Sequence, residues 1–289
     1  EVAFMYELKV TNEYDQTLQL TQNPNYTIKE VSGLDPPEAI INKTRNANTD
    51  GSEFNSSYLN DRQIIITMTI EAPAEENRNN LYIYFRSKKA VKIAYKNGIR
   101  DVFAKGIVKD IDVQFFAKKQ VAQITIDCMN PYFLENEDAS GDISATQQLF
   151  EFPFAIEEPI PFSEISTTEP IEVVNEGNDP TGVIITITPI SSRTVQSPIT
   201  IKNLTNGMIF RIYESLDEGD ELIIDSIKGE KSVKVIVNTI EFNVLSEIDR
   251  TSDWIELIPG INRLLITEGT SGIPQINAMI SFTPKYQGV

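Results

Sequence analysis

Histidine is absent from the 289 residues. That removes Ser-His-Asp and Cys-His catalysis and the usual zinc ligand sets. Cysteine occurs once, at Cys128, so no intramolecular disulfide can form. Its setting, Ile124-Thr125-Ile126-Asp127-Cys128, suits a small buried hydrophobe better than a reactive thiol. No apolar run approaches eighteen residues, so no helical membrane span is expected. No basic-then-apolar segment opens the sequence, so no signal peptide is expected, and Met5 reads as an initiator. Walker A, G-x-G-x-x-G and EF-hand patterns are also missing.

Basic residues are scarce. No Lys or Arg lies between Lys119 and Arg193, while acids accumulate there, and the net charge is −17. Such a balance disfavours binding to nucleic acid or to an anionic membrane surface. A pair of carboxylates is the one catalytic device still open, since glycosidases need only two. Among 42 acidic residues some such pair arises by chance, and nothing in the pattern selects one. The turn Glu176-Gly177-Asn178-Asp179 is read as a turn and not as a calcium site. The expectation is therefore no enzyme, no catalytic residue, no metal and no cofactor.

The dominant pattern is alternation of apolar and polar residues with period two. It runs through Ile64–Ile70, Val121–Ile126, Val183–Ile187 and Val233–Val237, each rich in Ile, Val and Thr and bounded by Gly, Asn, Asp or Pro. These read as strands. Asn97-Gly98 reads as a hairpin turn requiring positive φ, and Ala117-Lys118-Lys119 as a second turn following a strand Val113–Phe116. One helix is expected over 74–86: Pro73, Glu75 and Glu76 suit its start, Leu81 and Phe85 share a face, and Lys88 and Lys89 follow its C-terminus. The acidic stretch from Glu135 to Asp142 reads as a linker. The expected organisation is an N-terminal β domain over 1–134, a linker over 135–149 and a second β domain over 150–289. The fold class is mainly β. The first domain is expected as a β-sandwich-like body with one α-helix and extended hairpins, and the second as a β-sandwich.

Several patches, in order, resemble the distal tail protein family (Dit) of long non-contractile phage tails, particularly of phages infecting Gram-positive bacteria. They are Gly33–Ala39, Asp50–Ser57, Arg62 ahead of its strand, Arg78 with Leu81-Tyr82, and Cys128–Phe133. Phe150–Phe154, Asn175–Gly182, Trp254–Asn262 and Tyr286–Val289 follow. The resemblance spans nearly the whole chain. It implies a structural hub of the tail tip: a homohexameric ring built by the N-terminal domain, with a galectin-like C-terminal domain outside. The implied partners are the tail tube protein and a tail-tip protein of the tail-associated lysin kind. A receptor-binding protein or a cell-wall saccharide could join through the C-terminal domain. DNA would cross the ring without sequence-specific binding, and no membrane is involved. The implied location is the virion tail tip, assembled in the host cytoplasm.

On this reading the candidate ring contacts are Asp35, Pro36, Pro37, Asp50, Gly51, Phe54, Asn97, Gly98, Lys118 and Lys119. The competing reading is a carbohydrate- or receptor-binding module acting through the C-terminal sandwich, with Trp254 and Tyr213 as contacts. The acidic charge leads to a further expectation, a negative ring lumen that repels DNA.

Overall fold

A computed structural model describes residues 6–48, 50–136, 170–190, 194–269 and 276–289. The chain divides into two compact units, residues 1–139 with 285–289 and residues 140–284. The expected linker lies, from 137 onward, outside the described residues, as does the Phe150–Phe154 patch.

Unit 1 contains β1 (Glu7–Asn12), β2 (Thr17–Gln19), β3 (Tyr26–Ser32), β4 (Ala39–Thr44), β5 (Glu53–Leu59), β6 (Arg62–Ile70), α1 (Ala74–Tyr84), β7 (Ala90–Lys96), β8 (Asp101–Val113), β9 (Gln120–Cys128) and β10 (Phe133–Glu135). The helix falls where the Pro, acid and Leu-Phe spacing placed it. The main sheet runs β2-β1-β7-β8-β9-β6-β3, with β10 added beside β8. Alternating residues of β6 and β9, Ile64, Ile66 and Met68 with Ile124 and Ile126, are fully buried on one face, as period two requires.

The layering of unit 1 comes from this one sheet curling over its own core. In a flat sheet β1 and β3 would stand about 24 Å apart, five spacings of about 4.8 Å. Yet both reach the same helix. The Asn12 amide on β1 donates to the Ile83 carbonyl (3.3 Å), and the Tyr26 hydroxyl on β3 donates to the Asn77 carbonyl (2.8 Å). Those carbonyls are six residues apart, about 9 Å along a helix. Helix α1 thus bridges the two ends of the rolled sheet, and its Leu81 and the following Phe85 fill the space beneath.

Unit 2 contains β11 (Ile171–Asn175), β12 (Thr181–Gly182), β13 (Ile184–Pro189), β14 (Ile199–Asn203), β15 (Ile209–Ile212), β16 (Glu221–Asp225), β17 (Ser232–Val237), β18 (Ile240–Asn243), β19 (Glu256–Leu257), β20 (Gly260–Glu268) and β21 (Ile276–Ser281). A four-stranded sheet β11-β20-β14-β15 and a five-stranded sheet β18-β17-β16-β13-β21 share a single core, which is a two-sheet sandwich. The turns at Gly207, Gly219 and Gly229 all have positive φ.

Three details depart from the sequence reading. The last strand, β22 (Lys285–Tyr286), leaves unit 2 and pairs with β10 of unit 1, so the second block ends near residue 284. Its Tyr286 ring is buried in the core of unit 1. The Asn97-Gly98 turn does not use positive φ at either residue. Instead the Asn97 side-chain oxygen accepts from the Ile99 and Arg100 amides, both at 2.8 Å, an Asx device that serves a four-residue loop. Finally, β8 stops at Val113, which leaves Phe115 and Phe116 in a loop.

Two predictions follow from local geometry. Asn238 and Thr239 form the two-residue turn between β17 and β18, both with positive φ (48° and 69°). A β-branched residue is poorly tolerated there, so Thr239→Gly should stabilise unit 2 by about 1 kcal/mol, read as a higher urea midpoint. Second, Cys128 is buried, and burial pushes its thiol up to about 11 from 9.0. The folded state holds this proton more tightly than the unfolded chain. The resulting stabilisation is complete below the unfolded value and is lost as pH rises through about 11. It amounts to roughly 2–3 kcal/mol. Urea titrations from neutral to strongly alkaline pH should show that loss in the native sequence and a shallower one in Cys128→Ala.

Candidate assembly surface

Arg62 opens β6 and is 2% exposed. Burial pushes its guanidinium below the ordinary arginine value. Its donors go to backbone carbonyls from separate stretches of chain. Nε donates to Pro131 at 2.8 Å, Nη1 to Asp35 at 2.8 Å and to Gly33, and Nη2 to Gln287 at 2.5 Å. The guanidinium also lies 4.3 Å from the centre of the Phe133 ring. Five donors in a fixed planar fork allow this arrangement, and the compact ammonium of lysine would not reproduce it.

This one side chain gathers Gly33–Ala39, Cys128–Phe133 and Tyr286–Val289, patches that carried the resemblance yet read individually as turns. Gly33 is needed at its place: its φ is +86°, and a Cβ there would lie 2.0 Å from the Gln63 carbonyl oxygen. Asp35, Pro36 and Pro37 are thereby held in a rigid loop leading into β4. Sequence reasoning noted Arg62 without its role; a lone arginine opening an otherwise apolar strand was the available signal.

Buried amides do the same in unit 2. The Asn262 side chain accepts from the Ile258 amide (3.0 Å) and the Asn203 side chain (3.1 Å) and donates to the Ile258 and Gly260 carbonyls (2.7 and 3.0 Å). Asn175 donates to the Leu257 carbonyl at 3.0 Å. The Asn175–Gly182 and Trp254–Asn262 patches are thus two sides of one polar network.

The remaining candidates occupy three places in unit 1. Asp50, Gly51 and Phe54 lie on the β4–β5 ribbon, a sheet of two strands only. Nearly every residue of the ribbon is exposed, including Ile41 (59%), Phe54 (64%) and Tyr58 (56%). Its rungs are polar: Asn42 donates to Ser56 Oγ (3.0 Å) and Asn55 to Thr44 Oγ1 (2.7 Å). A two-stranded ribbon without a core is marginal in water, so this arm fits a surface that another molecule completes. Asn97 and Gly98 cap the β7–β8 hairpin near Tyr95, whose hydroxyl accepts from the Asn97 amide at 3.4 Å. Lys118 and Lys119 sit in the β8–β9 loop beside Phe115 and the fully exposed Phe116.

The two C-terminal candidates are otherwise engaged. Trp254 packs against the core of unit 2, its ring 5.6 Å from that of Phe210 and covered by the Lys231 ammonium at 5.2 Å. The Tyr213 hydroxyl donates to Asp249 at 2.7 Å. Hydrogen bonds from Thr251 and Tyr213 hold the Asp249 carboxyl down at about 2.

Residues 176–286 match the family model described as the siphovirus-type tail component, C-terminal domain. Over this span unit 2 resembles a siphovirus-type tail component domain. The whole chain also superposes on solved tail proteins. With the Dit protein (gp 19.1) of phage SPP1 the TM-score is 0.63 at 14% identity, covering 96% of this chain and 98% of that one. With a chain of the phage p2 baseplate in its calcium-activated conformation it is 0.50 at 13% identity, covering 99% and 100%. The strontium form of that baseplate gives 0.50 at 14% identity. These likenesses establish the fold. No curated protein matches by sequence. The resemblance to siphophage distal tail proteins thus rests on a family-model match within unit 2 and a fold likeness over the whole chain.

The Arg62 clasp can be tested directly. Arg62→Met would leave four partly buried carbonyls without their donor and should destabilise unit 1 by about 1–3 kcal/mol. Arg62→Lys should recover only part of that loss. Urea unfolding followed through unit 1 tyrosine fluorescence reads both.

Proposed function

We propose that six copies of this chain form a ring that serves as the hub of a siphophage tail tip. The ring joins the tail tube protein on one side to a tail-tip protein of the tail-associated lysin kind on the other. Unit 1 builds the ring, and unit 2 stands outside it, where a receptor-binding protein or cell-wall saccharide can attach. The observation that carries this reading is the β4–β5 arm, an exposed ribbon with three large apolar side chains and no core beneath it. The SPP1 relative, described as a paradigm of the hub adsorption apparatus in phages infecting Gram-positive bacteria, supports carrying the role across.

The charge distribution changes one part of the reading. Residues 1–139 with 285–289 hold 17 of the 25 basic and 20 of the 42 acidic residues, a net −3, and residues 140–284 hold the other −14. A ring built by unit 1 is therefore close to neutral per copy. In this reading most of the acid belongs to the domain outside the ring, where it favours solubility, and a negative lumen would have to come from the placement of unit 1 acids. The alternative of a sugar-binding module acting through Trp254 and Tyr213 has no observation in its favour beyond the half-exposed Tyr213 ring, and Trp254 packs on Phe210 beneath Lys231.

Negative-stain electron microscopy of the purified chain, alone and with its tube and tip neighbours, tests the proposal. Six-fold rings with an open centre are expected. Monomers under every condition would overturn it. Replacing Phe54 and Tyr58 together by Asp should raise the concentration needed for assembly at least about tenfold, since each removes an aromatic anchor. The melting midpoint should change little, because neither side chain supports a core.

A further inference from the structure

Asn-Gly occurs twice in the chain, at Asn97 and Asn206, and Asp-Gly once, at Asp50. Each pair sets a side-chain carbonyl carbon beside the backbone nitrogen of a glycine. Attack by that nitrogen closes a cyclic imide, and glycine leaves the approach open because it has no Cβ. The same chemistry is therefore available at each pair, and the surroundings decide where it proceeds.

Both asparagines are held. The Asn97 side-chain oxygen accepts from the Ile99 and Arg100 amides at 2.8 Å each, and its carboxamide nitrogen donates to the Tyr95 hydroxyl at 3.4 Å. The Asn206 oxygen accepts from the Met208 amide at 3.1 Å, and its nitrogen donates to the Glu256 carbonyl at 2.9 Å. The Gly207 nitrogen, which would be the attacking atom, already donates its hydrogen to the Asn203 carbonyl at 2.8 Å. Turning either carboxamide toward its glycine breaks these bonds.

Asp50 has no such restraint. It lies with Gly51 in the turn between β4 and β5, and both residues are exposed. Among the described residues, neither the Asp50 carboxylate nor the Gly51 amide has a hydrogen-bond partner. Gly51 has φ +92°, and no atom lies within 4 Å of the place a Cβ would take. The arm has polar rungs and no core beneath it, so this turn reaches the attack geometry without disturbing any packing.

We propose that Asp50 is the site at which the folded chain converts spontaneously to isoaspartate, and that Asn97 and Asn206 are protected from the equivalent deamidation. The Gly51 nitrogen bonds to the Asp50 side-chain carbonyl carbon. One carboxylate oxygen leaves as water, taking the amide hydrogen and one proton from solvent. Water then adds at the main-chain carbonyl of the imide and breaks that carbon's bond to nitrogen, so the chain runs on through the side chain. Addition at the other carbonyl restores aspartate. Nothing is oxidised or reduced, and water is the only co-reactant. The product has one more carbon in its main chain at the tip of the arm.

The full chain tests this at low concentration, with gel filtration to keep the measurement on monomers. One sample is incubated folded at neutral pH and another unfolded in guanidinium chloride. Peptide mapping with isoaspartyl methyltransferase labelling then follows Asp50, Asn97 and Asn206. At Asp50 the folded and unfolded chains should react at nearly the same rate. At Asn97 and Asn206 folding should slow the reaction at least about tenfold, because several hydrogen bonds must break first. Gly51→Ala, at an exposed position outside any core, should remove most of the Asp50 signal. Protection of Asp50 as strong as that of the asparagines would overturn the assignment, as would deamidation of Asn97 or Asn206 at the unfolded rate. An undiminished signal in Gly51→Ala would overturn it as well. Each of these outcomes is read on the free chain and is independent of whether rings form.

Discussion

Unit 1 depends on a buried cation held by carbonyls. Arg62 spends its donors on the segments at Gly33, Asp35, Pro131 and Gln287, which are distant in sequence and include the tail of the chain. Taking a guanidinium out of water is costly unless its donors are satisfied. Carbonyl dipoles meet that need here and also find donors of their own. The clasp sets the loop that launches the β4–β5 arm and brings β22 back against β10. It thereby fixes one end of the sheet.

The two units are built on different balances. Unit 1 is nearly neutral and exposes apolar side chains on the arm and at the Phe115-Phe116 tip, and unit 2 also exposes apolar side chains, among them Ile240, Phe242 and Leu245. Residues 140–284 carry most of the negative charge, and the buried amides of the sandwich are satisfied internally: Asn203 donates to Asn262, Asn262 to the Ile258 carbonyl and Asn175 to the Leu257 carbonyl. Exposed aromatics beside lysines suit association, and net negative charge favours solubility. The uneven charge of the two units follows from composition once their boundaries are known.

Much of the local structure was legible beforehand. Ile64–Ile70 and Val121–Ile126 alternate with period two and pair as β6 and β9. Pro73, Glu75 and Glu76 marked the start of α1. The failures also have physical reasons. Gly98 suggested positive φ, but the Asn97 side chain closed the loop another way. Phe115 and Phe116 looked like strand residues because aromatic side chains favour strands, whereas β8 ends before them and exposes them. Tyr286 gave no local sign that its partner strand lay some 150 residues earlier.

The sequence by itself determined the β class, the helix, the absence of histidine-based chemistry and the uneven charge, because each depends on near neighbours or on simple counting. Tertiary structure decided what Arg62 does, where the chain ends pack, and which exposed side chains share a surface. Those outcomes depend on hydrogen bonds and packing between segments far apart in the chain. A period-two pattern says which way a side chain points, and only the curl of the sheet determines what it meets.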